Sequence, residues 1–343
     1  MTTATSSPAA QWDRLLRKYG GHLLQSWAWG DLKHRHGWVP ERGLVQDGNG
    51  VAMAQVLFRH KGPVSIGYVP RGPLLDGDAE ALWPGLMKVI DEMARRHRAI
   101  SVIFEPDRPL PLSGTLFDYG LVKGPEHFQP VRTVKVPLLD DEALLKQMHQ
   151  KTRYSVRLAA RRGVEFHTLP HSQEHIARFY ELMQDTSQRN EFGVHALDYY
   201  ADFLELFGDD AVLMGAWSDE GNLAAMLIAG MFGNEAIYMY GGSSTKHRAH
   251  GAAFALQYEA MKWARERGAK TYDLWGIPAE NPDSLADSDR DRIAGTKGGD
   301  WRGLYRFKVG FGGEIVAYPP TMERRYLMLL PALARRFRAL GQG

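Results

Sequence analysis

Four stretches of this chain place isolated cations among aromatic rings and glycines. Gln25-Ser26-Trp27-Ala28-Trp29 leads into Lys33 and Gly37-Trp38, and Gly67-Tyr68-Val69-Pro70-Arg71-Gly72-Pro73 leads to Asp76. Tyr238-Met239-Tyr240-Gly241-Gly242-Ser243 and Tyr305-Arg306-Phe307-Lys308-Val309-Gly310-Phe311-Gly312-Gly313-Glu314 lie in the second half. Arg71 sits in a turn fixed by Pro and Gly, where its planar fork could bind a diphosphate or carboxylate, or simply bond loop carbonyls. Lys308 falls in a Gly-flanked segment that reads as a strand. There its ammonium could face a developing oxyanion, or pair with Glu314. Tyr68, Asp76 and Tyr240 read equally well as ligand contacts and as core residues with a satisfied polar tip. Lys33 alone reads as a surface lysine.

Other chemistries are excluded. With no cysteine in 343 residues there is no thiolate nucleophile, disulfide or thiolate metal ligand. Gly241-Gly242-Ser243-Ser244-Thr245 lacks the last glycine of a nucleophile elbow, and no P-loop, dinucleotide fingerprint or HExxH occurs. His167, His171 and His175 are spaced by four, but Pro170 interrupts the helix that would align them as metal ligands.

The elements that must carry these residues show an internal echo. Val51–Arg59 and Val64–Tyr68 read as strands, followed by the turn Val69–Pro73, a helix over Ala79–His97 and a strand, Ile100–Glu105. Leu223–Phe232 and Ala236–Tyr240 also read as strands. They precede the turn Gly241–Ser244, a helix over Gly251–Arg267 and a strand, Thr271–Trp275. Tyr68 to Phe104 is 104 − 68 = 36 positions, and Tyr240 to Leu274 is 274 − 240 = 34. Matching order and spacing favour duplication over ordinary strand–helix alternation.

Between the repeats, Asp140–Gly163 carries an uninterrupted helical pattern. Arg153, Arg157 and Arg161 share one face with Lys151 and Arg162 beside them, which makes either a solvated face or a phosphate contact. Ala279–Gly299 reads as a long loop, and Pro319–Leu340 as a C-terminal helix.

Composition agrees with two globular domains. Hydrophobic residues make up 44% and charged residues 24%, and 42 Lys+Arg against 40 Asp+Glu select no partner by bulk charge. No apolar core precedes Trp12, so no signal peptide is expected. The longest apolar stretch, Leu223–Phe232, is far short of the ~20 residues a span requires. A cytoplasmic protein without membrane insertion is expected.

One further pattern, Arg248-Ala249-His250-Gly251-Ala252-Ala253, resembles the R-x-x-G-x-A pyrophosphate loop of the GNAT acetyltransferases, between a strand and a helix as in that family. The four stretches together resemble the FemABX family of aminoacyl-tRNA-dependent peptidyltransferases, which build the cross-bridges of bacterial peptidoglycan. The resemblance runs from about Gln25 to Glu314, and the FK-x-GFGG-E stretch is its most specific part. It implies an α/β fold with mixed sheets in two tandem GNAT-like domains facing one cleft. The first would span 1–140 with 317–343 packed back on it, and the second 141–316. No paired heptad run exists, so the chain resembles the shorter FemX-type members that lack a long coiled coil.

The implied reaction moves a small amino acid (Gly, Ala or Ser) from aminoacyl-tRNA to the side-chain amine of UDP-MurNAc-pentapeptide or lipid II. The enzyme is expected to be a monomer with no cofactor and no metal. Lys308 and Phe307 would be catalytic. Lys33, Tyr68, Arg71, Asp76, Tyr199 and Tyr240 would bind substrate, and Arg153, Arg157 and Arg161 would touch tRNA. His195-Ala196-Leu197-Asp198-Tyr199 departs from the family's Arg-x-x-x-Tyr pair. Either Arg189 or another basic residue substitutes, or the acceptor differs. Two alternatives stay open: a GNAT acyltransferase using acyl-CoA, and a non-catalytic tRNA- or precursor-binding protein.

Overall fold

From Gly50 to Phe58 every residue is buried, as expected of a strand covered on both faces. It forms part of β2 (Gly50–Lys61), in a seven-stranded mixed sheet ordered β1-β2-β3-β5-β14-β6, with β4 pairing β2. The other strands are β1 (Val39–Asp47), β3 (Val64–Pro70), β4 (Leu74–Asp76), β5 (Ala99–Glu105), β6 (Val122–Lys123) and β14 (Met322–Arg325). Helices α1 (Pro8–Lys18), α2 (Trp27–Arg35) and α3 (Ala79–Arg96) accompany it. The Asp78 side chain accepts the Ala81 N–H at 3.1 Å and so starts α3. Leu82, Leu86, Ile90 and Met93 then form a helical stripe, packed on Ala52, Ala54, Val56 and Phe58.

The computed structural model describes residues 7–48, 50–190, 193–245, 251–281 and 301–327. The chain divides into two units, Met1–Gln129 with Tyr318–Gly343, and Pro130–Ala317. The second has its own seven-stranded mixed sheet, ordered β13-β7-β12-β11-β10-β9-β8. Its strands are β7 (Arg132–Pro137), β8 (Glu165–Leu169), β9 (Ala211–Trp217), β10 (Leu223–Phe232), β11 (Glu235–Ser243), β12 (Thr271–Asp273) and β13 (Glu314–Ala317). The described helices are α4 (Asp141–Gln147), α5 (Gln150–Arg161), α6 (Gln173–Asn190), α7 (Leu197–Phe207), α8 (Ala252–Glu266) and α9 (Trp301–Val309). The fold class is therefore α/β with mixed sheets, and the longest described helices, α3 and α6, have only 18 residues.

The internal echo has the same pairing in both units. β2 and β3 pair antiparallel and β3 and β5 parallel; β10 and β11 pair antiparallel and β11 and β12 parallel. From the hairpin pair Lys61↔Val64, four positions back along β2 is Leu57, opposite Tyr68. From Phe232↔Glu235, four positions back along β10 is Ile228, opposite Tyr240. Tyr68 and Tyr240 thus occupy equivalent places.

Several expectations are corrected. The helix expected over Asp140–Gly163 is two helices, because Met148 is extended and the His149 N–H bonds the Gly310 carbonyl at 2.8 Å. β11 continues through the expected turn to Ser243, and β4 follows the Pro70–Pro73 turn. Met322–Arg325, placed in the expected C-terminal helix, is instead a strand paired with β5 in the first sheet. The residues after Leu327 lie outside the described part, as does nearly all of the expected 279–299 loop. β7, placed before residue 140, belongs to the second sheet.

Candidate active site

Lys308 lies on a helix, α9, and not on the expected strand. Tyr305 and Lys308 point inward at i, i+3, and Phe311 just beyond the helix is fully buried. Lys308 is only 6% exposed, and its ammonium donates to the Gly276 carbonyl at 2.9 Å and lies 5.6 Å from the centre of the Tyr238 ring. Burial pushes its pKa down to about 8, against the opposing pull of Asp273. Glu314 is not its partner: that residue is exposed on β13, paired in register with Lys135. Phe307 packs edge-on against Phe254 and Phe311, in the core beside Lys308. The glycines of the signature are structural. Gly312 and Gly313 have φ of 81° and 88°, and a Cβ at either would strike the Gln147 or Lys135 carbonyl oxygen.

Tyr238 and Tyr240 face opposite sides of β11. Ala229 pairs with Tyr238 and Ile228 with Tyr240, which leaves Met239 as a one-residue bulge. Tyr238 packs with α8 and Lys308, whereas Tyr240 meets α7. There Tyr240 sits 5.0 Å from Tyr200 and 6.2 Å from Tyr199, both buried, with ring planes nearly perpendicular. His195 stacks on Tyr199 at 3.9 Å and meets Tyr240 edge-on at 5.8 Å. Burial raises the pKa of Tyr199, and burial with the neighbouring tyrosines raises that of Tyr240, so both are neutral phenols at pH 7. The structure therefore brings together Tyr199, Tyr240 and the off-pattern His195. Arg189 is on α6, and its side chain lies outside the described part.

In the first unit Tyr68 is buried and donates to Glu105 at 2.6 Å. Glu105, fully buried at the end of β5, also accepts the Phe128 and Gln129 N–H groups at 3.2 and 3.0 Å, and His127 Nδ1 lies 3.0 Å away. Burial and the Glu105 charge hold the Tyr68 phenol far above its ordinary pKa. Arg71 is 2% exposed, with backbone φ of 51° and its guanidinium 3.4 Å from the centre of the Tyr318 ring. It faces that ring rather than solvent. Lys33, half-buried on α2, lies 5.6 Å from the Trp29 ring centre, and burial with the nearby Arg59 charge pushes its pKa down to about 8. Asp76 is exposed at the end of β4.

Three residues without a stated role in the sequence prove central. The buried Gln25 amide donates to the Pro70 carbonyl at 2.7 Å and accepts the Gln55 N–H at 2.7 Å, so the QSxxW stretch pins the Arg71 turn to β2. Glu105 and Asp273 each close a buried parallel strand. Glu105, an acid ending the largely apolar run of β5, carried a signal that could have found it; Asp273, preceded by Lys270-Thr271-Tyr272, carried none.

The basic stripe divides. Arg153 turns its guanidinium onto the carbonyls of Leu145, Lys146 and Met148 and so caps α4, whereas Arg157 and Arg161 are exposed. Arg161 lies 5.4 Å from the Tyr154 ring centre. Residues 246–250, including Arg248, are outside the described part. The described start of α8 is Gly251, whose missing Cβ leaves room for the Ser155 backbone of α5. Among the described residues no helix is long and apolar enough to cross a membrane.

Comparisons agree with this architecture. The FemAB family model matches residues 12–115, 125–219 and 215–324. The lipid II:glycine glycyltransferase of Staphylococcus aureus is 26% identical over 85% of each chain, and that of Staphylococcus haemolyticus is 25% identical over 77% of this chain and 81% of its own. The crystal structure of FemX superposes with a TM-score of 0.79 over 99% of both chains at 21% identity. A tandem GNAT protein from the clavulanic acid pathway reaches 0.50 over 84% of this chain at 14% identity, a likeness of fold alone. With two repeated mixed sheets and a family match across nearly its whole length, the chain is a transferase that belongs to the FemAB family.

Proposed function

We propose that the chain transfers a small amino acid from aminoacyl-tRNA to the side-chain amine of a peptidoglycan precursor, as one step in building an interpeptide bridge. The observation that carries this reading is the buried Lys308 ammonium within the family's signature stretch. The acceptor amine attacks the ester carbonyl, a C–N bond forms, and the carbonyl oxygen becomes an oxyanion. Lys308 stabilises that charge and then the departing ribose oxygen, which takes up the proton the amine loses as the C–O bond breaks. The ester is already activated, so the reaction needs no ATP, metal or organic cofactor.

Lys33, Tyr68, Asp76, Tyr199 and Tyr240 serve as acceptor contacts, with Arg189 as a further cation. Arg71 acts as a brace beneath Tyr318. Arg157 and Arg161 contact the tRNA. The precursor is UDP-linked or lipid-linked; the names of the staphylococcal relatives favour lipid II. A tRNA donor places the reaction in the cytoplasm, and the chain acts as a monomer.

The test is to incubate the protein with Gly-, Ala- and Ser-tRNA separately, each with UDP-MurNAc-pentapeptide or lipid II, and with acetyl-CoA in a parallel arm. Amide product from a charged tRNA is expected. Product from acetyl-CoA alone would favour the acyl-CoA reading, and binding without turnover the non-catalytic one.

A further inference from the structure

Lys308 does not set its own direction. Its ammonium is held by the carbonyl of Gly276, in a turn that leaves β12 directly after Asp273. Trp275, the residue before Gly276, is one of three described non-glycine residues with positive φ, at 58°. For a bulky side chain this left-handed backbone is strained, and it persists only where surrounding bonds impose it. The imposing bond is visible: Asp273 Oδ1 accepts the Trp275 N–H at 2.6 Å. Asp273 is itself fully buried and is fixed by the Thr133 hydroxyl, which donates to the same oxygen.

We propose that Asp273 is a positioning residue for Lys308: by holding Trp275 in its left-handed conformation, it turns the Gly276 carbonyl onto the ammonium and aims the cation. This rests on the reading of Lys308 as the oxyanion-stabilising group. The same carboxylate acts through space. Burial lowers the Lys308 pKa to about 8, and Asp273 opposes that shift and keeps the ammonium charged. Tyr238 faces Lys308 from β11, Lys135 Nζ lies 4.0 Å from Asp273 Oδ2 and bonds Glu235 at 2.6 Å, and Arg306 is on Lys308's own helix. Among these groups Asp273 is the one that raises the lysine's pKa.

The experiment compares Asp273→Ala, Asp273→Asn, Lys308→Met and the combination of Asp273→Ala with Lys308→Met in aminoacyl transfer across pH 6 to 10. In parallel, the pH dependence of Lys308 acetylation by acetic anhydride is read by mass spectrometry. Asp273→Ala, which removes the acceptor of the Trp275 N–H, should lower kcat about ten- to a hundredfold, the cost of mis-setting a reacting group by about an ångström, with KM little changed. Asp273→Asn keeps an acceptor oxygen and removes only the charge. The alkaline limb of kcat and the labelling midpoint of Lys308 should both move to lower pH. The alanine should add almost nothing in the Lys308→Met background, because the two residues act as one unit.

Additive losses, a change confined to KM, or an unmoved labelling midpoint would overturn the proposal. Near-normal turnover by Lys308→Met would instead overturn the catalytic reading of Lys308, and the labelling midpoint would still report whether Asp273 governs that lysine. If Asp273→Ala fails to fold, Thr133→Val loosens the same carboxylate while keeping its charge. It should lower kcat with the labelling midpoint nearly fixed; unchanged kcat in that variant counts against the proposal.

Discussion

The two units end their parallel strands in the same way and use the ending differently. Glu105 closes β5 and Asp273 closes β12, and both carboxylates are completely buried. Glu105 receives the Tyr68 hydroxyl and two consecutive backbone N–H groups, so its charge is bound into a closed knot. Asp273 accepts the Thr133 hydroxyl and the Trp275 N–H, has Lys135 Nζ 4.0 Å away, and its charge acts on Lys308 as well. A buried carboxylate needs donors wherever it sits. Whether it locks a loop or keeps a neighbouring cation charged depends on what the next turn of chain brings beside it.

The sharpest way to break this contrast is to remove the two lysines in turn. Lys308→Met should cost about 10²–10³ in kcat, the usual loss for one oxyanion contact, while the thermal midpoint stays at or above that of the parent. Lys33→Met, in the first unit, should act on KM and more strongly for a UDP-linked acceptor than for a dephosphorylated one. Steady-state kinetics on both variants would show it, and equal kcat losses from the two would erase the distinction between the units.

Next in size is the Glu105 knot. Glu105→Leu leaves the Tyr68 hydroxyl and the Phe128 and Gln129 N–H groups without their acceptor, each costing about 1–3 kcal/mol if it stays dry. A fall of roughly 3 kcal/mol in urea unfolding is expected. A variant as stable as the parent would mean that water reaches this knot.

A third prediction concerns stability against pH. Lys33 and Lys308 have folded pKa values of about 8, below the ordinary 10.5, so between those values the unfolded chain binds more protons than the folded one. Stability should therefore rise as pH passes from about 8 toward 10. Above about 10 the sign reverses, because buried Tyr68, Tyr199, Tyr240 and Tyr272 hold protons that unfolded tyrosines release. Chemical denaturation at stepped pH would trace this maximum, and Lys308→Met should flatten its rising side.

The smallest effect lies on α5. Arg157→Gln and Arg161→Gln should each lower the salt slope of tRNA binding by roughly one unit if each touches a phosphate. Arg153→Gln should leave the slope alone and cost stability, since that guanidinium caps α4. Equal slope changes from all three would show that the cap opens on binding.

Much of this was legible in residue order because local patterns coincide with tertiary demands. The buried run of β2, the helical stripe of α3 and their counterparts β10 and α8 gave element type and order in both repeats. The failures have one cause, which is contact between distant segments. Tyr305, Phe307, Val309 and Phe311 alternate as a strand would, yet α9 forms because Tyr305 and Lys308 share its buried side and Lys308 finds the Gly276 carbonyl. The break at Met148 depends on Gly310 and the Arg153 cap, and β14 is a short polar segment recruited by β5. Lys308, Tyr199 and Tyr240 could be singled out by type and motif. Asp273 could not, since its importance lies in a backbone carbonyl three residues away.

The bulge at Met239 carries a last lesson, one of parity. Side chains along a strand alternate between two faces, so an even count keeps a residue on its side and an odd insertion moves everything beyond it to the other. The first repeat runs without interruption from the hairpin to Tyr68; the second holds one extra residue between Tyr238 and Tyr240. Pairing with β10 resumes at once, so the sheet keeps its shape, yet two tyrosines that would have been neighbours on one face now belong to separate neighbourhoods, Lys308 on one side and the His195–Tyr199 stack on the other. A repeated unit can thus acquire a second, separately packed face through a single odd-numbered step, with no new strand and no change of topology.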